Sequence, residues 1–577
     1  MNDIKKINYI FDSHQKARVV LLGVMIIIGS LLELIGVTAI LPFIEVAIKP
    51  DSIFENRWLS LIYDNLSLSS PAHFLIILAV GLIVIYVVKN LYLSLMTYSI
   101  YRFAYNNQRK IALRIHRAYM KQSYTFFLQH NSSELFRNID VDVPMLFDTV
   151  LSALQLMVEV FVCTLLLVYL IIMDKTITIV VGIVMMIAFF VVVKTLKKDL
   201  RERGQLVRDC KTEMSKCLYQ SFGAVKESKI SEREGFFTGQ FDHLYGIFAH
   251  NHCIYQTFSY VPKPMMETLC VCSLLGVVAI KLSRGVDSRY FITTMSVFAV
   301  AAFRLLPAFN RITGYVSHIL FNHSAVTSIY NDLKEIEELE KEYVSKNSSA
   351  KPISFKDKIV LENISYRYPN VENKVIESAS LEIPHNKAVA FVGPSGAGKT
   401  TIADIILGLL TPESGHVLVD GKDAFSNMTG WHNMLGYIPQ SIHLNDDTIR
   451  HNIAFAIDDA DIDENRLNEA IKEAQLSDFI DTLEDGVNTV IGERGIRLSG
   501  GQRQRIGIAR ALYDDPEILI LDEATSALDG ETEDAVMEAI NSLAGKKTLI
   551  IIAHRLTTIR NCDIVYEVKD KTVIRQR

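Results

Sequence analysis

The chain has 577 residues, with 59 Lys and Arg against 65 Asp and Glu, a net charge of −6. That length is enough for several domains, and the charge provides no basic tail or broad patch of the kind that binds nucleic acid. Seven cysteines, an odd number and none with metal-ligand spacing, exclude a disulfide framework and a zinc site and are expected as packing residues. Mean hydropathy is nonetheless positive, and the long apolar runs lie almost entirely before residue 325.

Six membrane spans are predicted in that first part, near residues 19–47, 74–98, 145–173, 177–193, 266–282 and 291–312, each with the ~20 apolar residues a bilayer core requires. The first apolar run is too long for a signal-peptide core, so no cleavable leader is expected. The loop after span one carries Ile53, Phe54, Trp58, Leu61 and Ile62 at helical spacing. This predicts an amphipathic helix on the outer surface with Trp58 as anchor. Two long polar segments, after spans two and four, carry Arg102, Arg109, Lys110, Arg114, Arg117 and Lys121, and Lys194, Lys197, Lys198, Arg201, Arg203 and Arg208. The excess of cations places both in the cytoplasm together with the N-terminus. Each is long enough for two helical arms. Helical patterning breaks at Asn131–Ser133 and Asp140–Pro144 in one and at Ser221–Ala224 in the other, which predicts crosswise turns suited to meeting a cytoplasmic domain.

After span six a charged helix over residues 331–343 leads to a polar stretch, Ser345–Pro352, read as the domain linker. The expected organisation is a membrane domain over 1–330, a linker over 331–355 and a soluble α/β domain over 356–577. The fold class is therefore an α-helical six-span membrane domain followed by an α/β P-loop nucleotide-binding domain.

The chemistry-bearing motifs lie in the second domain. Gly393-Pro394-Ser395-Gly396-Ala397-Gly398-Lys399-Thr400-Thr401 fits G-x-x-x-x-G-K-[ST], with an apolar strand before it and a helix after it. Glycines let the backbone N–H groups come close to a triphosphate. Lys399 reaches the β- and γ-phosphates, and Thr400 is a ligand for Mg²⁺. The helix N-terminus adds a favourable dipole. Downstream, the apolar strand Ile518–Leu521 ends in Asp522 and Glu523. Asp522 is expected to hold the Mg²⁺ shell and Glu523 to polarise the attacking water. Between these motifs, Leu498-Ser499-Gly500-Gly501-Gln502 forms a second anion-binding turn at a helix start.

This last stretch closely resembles the signature motif of ATP-binding cassette proteins, and the order of membrane domain then cassette resembles the exporter branch. The resemblance implies further roles. Tyr368 matches the aromatic that stacks on adenine, and Gln440 matches the loop glutamine that touches Mg²⁺. Gly492–Gly495 matches a loop near the transmission helices, Ser526–Asp529 the loop that crosses to a partner cassette, and His554 the switch histidine on the γ-phosphate. In that family a P-loop works with the signature motif of another cassette. This chain carries one of each, so a second chain is required. Both motifs are intact, which favours a homodimer of two identical chains, with a heterodimer as the alternative.

Cargo is read from cations in the spans. Arg304 and Arg311, seven residues apart in span six, share a helix face and lie ~20 and ~30 Å from its outer end; Lys89 in span two lies ~22 Å deep. Lys263 precedes span five at the cytosolic edge. Positive-inside statistics account for the shallow ones, but the depth of Arg304 calls for a partner or a wet cavity, and Glu33 is the candidate partner. Phe303–Ile312, Gly81–Lys89, and Leu32-Glu33 with Leu41–Ile44 resemble bacterial flippases for lipid-linked oligosaccharides of the N-glycosylation type. That resemblance implies an ATP-driven flippase of the bacterial inner membrane with its cassette in the cytoplasm. Arg304, Arg311, Lys89 and Lys263 would then engage the pyrophosphate of a polyprenyl-linked glycan. Export of another lipid, a drug or a peptide is the alternative.

Overall fold

The structure is a computed structural model that describes residues 3–48, 50–55, 60–61, 63–64, 71–283, 288–346, 353–492, 495–523, 530–553 and 559–577. Contacts divide the chain into two compact units. The first is Met1–Lys121 with His130–Leu339; the second is Gln122–Gln129 with Glu340–Arg577.

The first unit is all helical. In chain order its helices include α1 (Asp3–Ile10), α2 (Ser13–Thr38), α3 (Ile40–Ile48) and α4 (Pro71–Met120). The short α5 (Tyr124–Gln129) belongs to the second unit. There follow α6 (Ser132–Arg137), a π-helical turn over Asn138–Asp142, α7 (Val143–Met173), α8 (Lys175–Gly223), α9 (Val225–Ile230) and α10 (Glu234–Tyr260). The unit ends with α11 (Pro262–Ser283), α12 (Ser288–Phe321) and α13 (His323–Lys346). Four stretches among the described residues are long and apolar enough to cross a membrane: Ser13–Ile44, Pro71–Met120, Ser132–Ile172 and Lys175–Gly223. Their faces carry exposed Val, Ile, Leu and Phe side chains such as Ile83, Val87, Ile187 and Phe190, which suit a hydrocarbon solvent.

Several helices run far beyond their apolar parts. At 1.5 Å per residue the 50 residues of α4 and the 49 of α8 extend ~75 Å, more than twice a bilayer core. In the first arm the short helix α5 comes a few residues before the breaks expected at 131–133 and 140–144. A helix boundary does fall at the first of them, where extended Asn131 caps α6, whereas 140–144 is continuous helix with a π turn before Pro144. In the second arm α9 follows the expected break at Ser221–Ala224 directly.

Part of the outer-loop expectation is corrected. Ile53 does not face a membrane surface; it is fully buried with Val46 and Phe74, and Tyr63 bridges Phe54 and Phe74 edge-on. Trp58 and Ile62 lie outside the described residues, as do Ser348 to Pro352 of the expected linker.

The arms are tied by polar contacts. Asp142, from the π turn, is completely buried and accepts two hydrogen bonds from Arg208 Nε, at 2.9 and 3.0 Å, and one from Nη2 at 2.7 Å. Arg208 Nη2 also donates to Ser328 on α13, and Arg137 Nε lies 3.5 Å from Asp142. Asn138 donates to the Tyr119 hydroxyl, which donates onward to Asp332.

The second unit holds two sheets. One is antiparallel, in the order β2 (Ile376–Pro384), β1 (Lys358–Tyr366), β4 (Ser414–Val419), β5 (Lys422–Asp423). The other has the order β10-β9-β3-β8-β7-β6: β10 (Thr572–Arg575), β9 (Ile564–Lys569), β3 (Ala388–Val392), β8 (Thr548–Ile552), β7 (Ile518–Asp522) and β6 (Leu435–Ile438). All its pairs are parallel except β10 with β9. Strands β7 and β8 are buried at every residue, as a sheet covered on both faces requires. The helices of this unit include α14 (Lys399–Ile406), α15 (Gly500–Leu512) and α16 (Gly530–Leu543).

Candidate nucleotide site and membrane cations

Because β3, β6, β7 and β8 run parallel, their C-terminal ends open on one edge of the sheet. In such sheets ligands bind beyond that edge. The P-loop leaves β3 there, Gln440 follows β6, and Asp522 and Glu523 end β7. Residues more than a hundred positions apart in sequence are brought together by strand order alone.

The cradle depends on glycine at two positions. Gly393 has φ +145°, and a Cβ there would collide with the carbonyl oxygen of Val568. Gly398 has φ +104° and caps α14; a Cβ would stand 2.6 Å from Ile376 Cδ1. Any side chain would therefore both strain the backbone and push the loop off the residues it packs against. Lys399 is 4% exposed, and its Nζ donates to the carbonyls of Gly393 and Pro394 at 3.0 Å each. Burial pulls its pKa below the usual lysine value, while the charges of Glu523 and Asp522 oppose this. Thr400 Oγ1 lies 3.5 Å from Asp522 Oδ1. A hydroxyl beside a buried carboxylate is an oxygen donor set of the kind a hard divalent cation takes, so the residues present fit Mg²⁺.

Glu523 departs from the strand. Its φ is +49°, a left-handed conformation uncommon for a non-glycine residue and frequent at functional sites. Its backbone N–H still donates to the Ile552 carbonyl, and its carboxylate accepts from Gln440 Nε2 at 2.7 Å. The turn thus directs the carboxylate away from the sheet and towards the glutamine. On the P-loop helix itself, Asp404 is pushed up to about 6, first by burial and then by the charge of Asp522. No sequence motif had marked Asp404.

Tyr368 lines an open depression of about 700 Å³ with Tyr366, Arg367, Pro369 and Thr125 of the same unit. Its ring meets Tyr366 edge-on, and its hydroxyl is 3.1 Å from Thr401 Oγ1, so the expected adenine platform is tied to the P-loop helix. Ser499 caps α15: its hydroxyl accepts from Gln502 N at 3.2 Å, and the Gln502 side chain accepts from Ser499 N at 2.8 Å. The bonds of the P-loop run to Asp522 and Tyr368, whereas those of Ser499 stay within its own helix. His554, Glu493, Arg494 and Ser526–Asp529 lie outside the described residues.

In the membrane unit two of the four expected cations have carboxylate partners. Lys89 Nζ is 3.1 Å from Glu33 and 4.5 Å from the centre of the Tyr86 ring. Arg311 forms a two-pronged pair with Glu159 at 2.6 and 3.0 Å. Lys263 Nζ stands 5.9 Å from the Tyr260 ring centre. Glu33 had been expected to answer Arg304. Glu33 holds Lys89, because α2 packs on α4 and places the two side chains together. The side chain of Arg304 lies outside the described residues. Glu159 was legible in principle as one of only two acids, with Asp148, within the apolar run Met145–Met173.

The architecture is that of an ATP-binding cassette exporter, a helical membrane unit and a P-loop cassette. A solved structure titled as a bacterial Atm1-family ABC exporter with ATP bound superposes with a TM-score of 0.75, covering 97% of this chain and 95% of that one at 21% identity. Residues 376–526 match the family described as ABC transporter. Among curated proteins, an ATP-dependent lipid A-core flippase of Pectobacterium atrosepticum is 44% identical over 220 residues, which is 38% of each chain. A protein of that same name from Desulfotalea psychrophila is 29% identical over 519 residues, 89% of this chain and 88% of that one. ABC transporter B family member 13 of Arabidopsis thaliana is also 44% identical, over 217 residues and 17% of its length. Such equal identity to differently named transporters over about 220 residues carries no information about cargo.

Proposed function

We propose that the chain is one half of an ATP-driven lipid flippase, active as a homodimer in a bacterial inner membrane with the cassette in the cytoplasm. The observation that carries the reading is the sheet edge that joins P-loop, Asp522, Glu523 and Gln440 in a chain of exporter fold. ATP with Mg²⁺ supplies a scissile phosphoanhydride and a charge-neutralising cation. The chain's own residues do the rest. Gly393 to Thr401 bind and orient the phosphates, with Lys399 exchanging its carbonyl partners for phosphate oxygens. Thr400, Asp522 and Gln440 hold the cation, and Tyr368 stacks on the base. Glu523 and His554 position the attacking water and the γ-phosphate. Ser499, Gly500, Gly501 and Gln502 of the second copy close the site.

For cargo we infer a polyprenyl-pyrophosphate-linked oligosaccharide, flipped from the cytoplasmic to the outer leaflet. Arg304, Arg311, Lys89 and Lys263 meet its pyrophosphate. Support comes from the membrane cations and from the resemblance of Phe303–Ile312 and Gly81–Lys89 to flippases of that type. Arg311 is the more accessible of the paired cations, its side chain 37% exposed against 10% for Lys89. Each sugar hydroxyl moved unpaired into hydrocarbon costs ~4–8 kcal/mol, so a glycan needs a polar path. A lipid of the lipid A-core kind is the second reading, favoured by the name of the relative aligned over 89% of this chain.

Reconstituted vesicles with each lipid and Mg-ATP separate these readings. Glu523→Gln should lower ATP turnover 10²–10³-fold and abolish flipping; continued transport would refute the pump. Arg304→Ala with Arg311→Ala should stop flipping while ATPase survives. Normal flipping of the pyrophosphate lipid by that double variant would refute the cargo assignment.

A further inference from the structure

Two polar contacts join helices α2 and α4 on the cytoplasmic side of the Lys89–Glu33 pair. The Tyr92 hydroxyl donates to the Met25 carbonyl at 3.0 Å, and Gln15 Nε2 donates to Asn107 Oδ1 at 2.8 Å. Beside these contacts lies a pocket of about 540 Å³ whose lining includes Arg18, Arg102, Arg109 and Lys110 over an apolar floor of Met25 and Phe103. It continues into a second depression of about 480 Å³ that shares Arg18 and Lys110.

Four cations converge here without an acid to answer them. Among the described residues none of the four pairs with a carboxylate. The sequence gives the reason: α4 contains no Asp or Glu over its whole length, and α2 contains only Glu33, which is held by Lys89. Asp12, on the rim of the second depression, uses its carboxylate to cap α2 through Gln15 N at 2.7 Å. Neighbouring arginines behave differently. Arg114, one turn beyond Lys110, pairs with Glu337 at 2.7 Å, and Arg208 is fully engaged by Asp142.

The depth fits a headgroup. Arg102 stands four residues past the apolar run that ends near Tyr98, and Arg18 directly before the one that begins near Val19, so both lie at the cytoplasmic edge of the hydrocarbon. Towards the bilayer the same two helices expose Val20, Leu21, Val24, Leu95 and Tyr98. The positive-inside rule explains cations at this level, but not four of them around one concavity with an apolar floor. Basic pockets between membrane helices on the cytoplasmic side are sites for anionic headgroups.

We propose that this pocket binds the phosphate headgroup of an anionic phospholipid of the cytoplasmic leaflet, with its acyl chains along the exposed apolar strip of α2 and α4. The arginines offer the forked donors that phosphate oxygens accept. The site is separate from the cargo cations and stands whatever lipid the protein moves.

Native mass spectrometry of the full-length dimer in detergent tests this with phosphatidylglycerol, phosphatidylethanolamine and a polyprenyl pyrophosphate as probes. Phosphatidylglycerol adducts should exceed phosphatidylethanolamine adducts and weaken about fivefold for each of Arg18→Gln, Arg102→Gln and Arg109→Gln. Lys194→Gln with Lys197→Gln removes two exposed cations on α8 near the same level and should change retention less than twofold. Arg102→Lys should fall between wild type and Arg102→Gln, which separates lost binding from lost folding. Equal loss in the α8 control would overturn the pocket in favour of general surface charge. Equal retention of the two phospholipids, or retention of the pyrophosphate lipid without phosphatidylglycerol, would also overturn it.

Discussion

Replacing Arg208 by Ala should loosen the cytoplasmic arms more than any comparable surface change. The Asp142 carboxylate is 0% exposed, and three of its hydrogen bonds come from Arg208. Deleting one partner of a buried pair leaves a desolvated charge and costs about 3–5 kcal/mol. Arg137 stays 3.5 Å away and offsets part of that charge, so the lower end, about 3 kcal/mol, is expected here. Arg208→Lys keeps the charge but loses the fork and should cost about 1–2 kcal/mol. Replacing both partners, Asp142→Leu with Arg208→Met, should come within about 1 kcal/mol of wild type. Unfolding a two-unit membrane protein is not a single transition, so the suitable assay is local. Amide hydrogen exchange of residues 138–145 and 203–212 should speed up about 100-fold in Arg208→Ala. The exposed Lys198–Glu202 pair, at 3.7 Å, is the comparison, and Lys198→Ala should change exchange by no more than about twofold. Equal protection in Arg208→Ala and Lys198→Ala would refute the reasoning.

Two further outcomes follow from the geometry. Gly398→Ala puts a Cβ 2.6 Å from Ile376 Cδ1 at φ +104°, so nucleotide affinity by calorimetry should fall at least about tenfold while the cassette's far-ultraviolet dichroism is retained. Unchanged affinity would mean the cradle tolerates a side chain. Asp332 is pushed up to about 6, first by burial and then by the Asp142 charge. A raised acid favours the folded arms below its unfolded pKa of about 4, and that contribution is lost as pH rises to about 6. Arm protection should therefore drop by about 2 kcal/mol across that window in wild type and stay level in Asp332→Asn. A slope that persists in the variant would assign it to another group.

The geometry of the candidate nucleotide site was largely legible because its motifs are local. A phosphate cradle needs Gly393, Gly398 and Lys399 within one turn, and a strand ending in Asp522-Glu523 is visible as an apolar run that stops in acids. Less legible were contacts with no spacing rule. The Tyr368–Thr401 bond, the buried Asp404 and the left-handed turn at Glu523 arise only when strands and helices far apart in sequence pack together. The first arm shows the same limit. Asn131–Ser133 and Asp140–Pro144 both read as breaks; the first is a helix boundary capped by Asn131, but the second is continuous helix that passes through a π turn.

By itself the sequence determined four of the apolar spans, the order of a helical part before an α/β part, and the cassette motifs, because hydrophobic period and backbone chemistry are properties of neighbouring residues. Only the tertiary structure decided which charge meets which. Lys89 went to Glu33, Arg311 to Glu159 and Arg208 to Asp142, whereas Arg18, Arg102, Arg109 and Lys110 were left around one pocket. Ion pairing at low dielectric is settled by ångströms of helix packing, and no linear spacing encodes those distances.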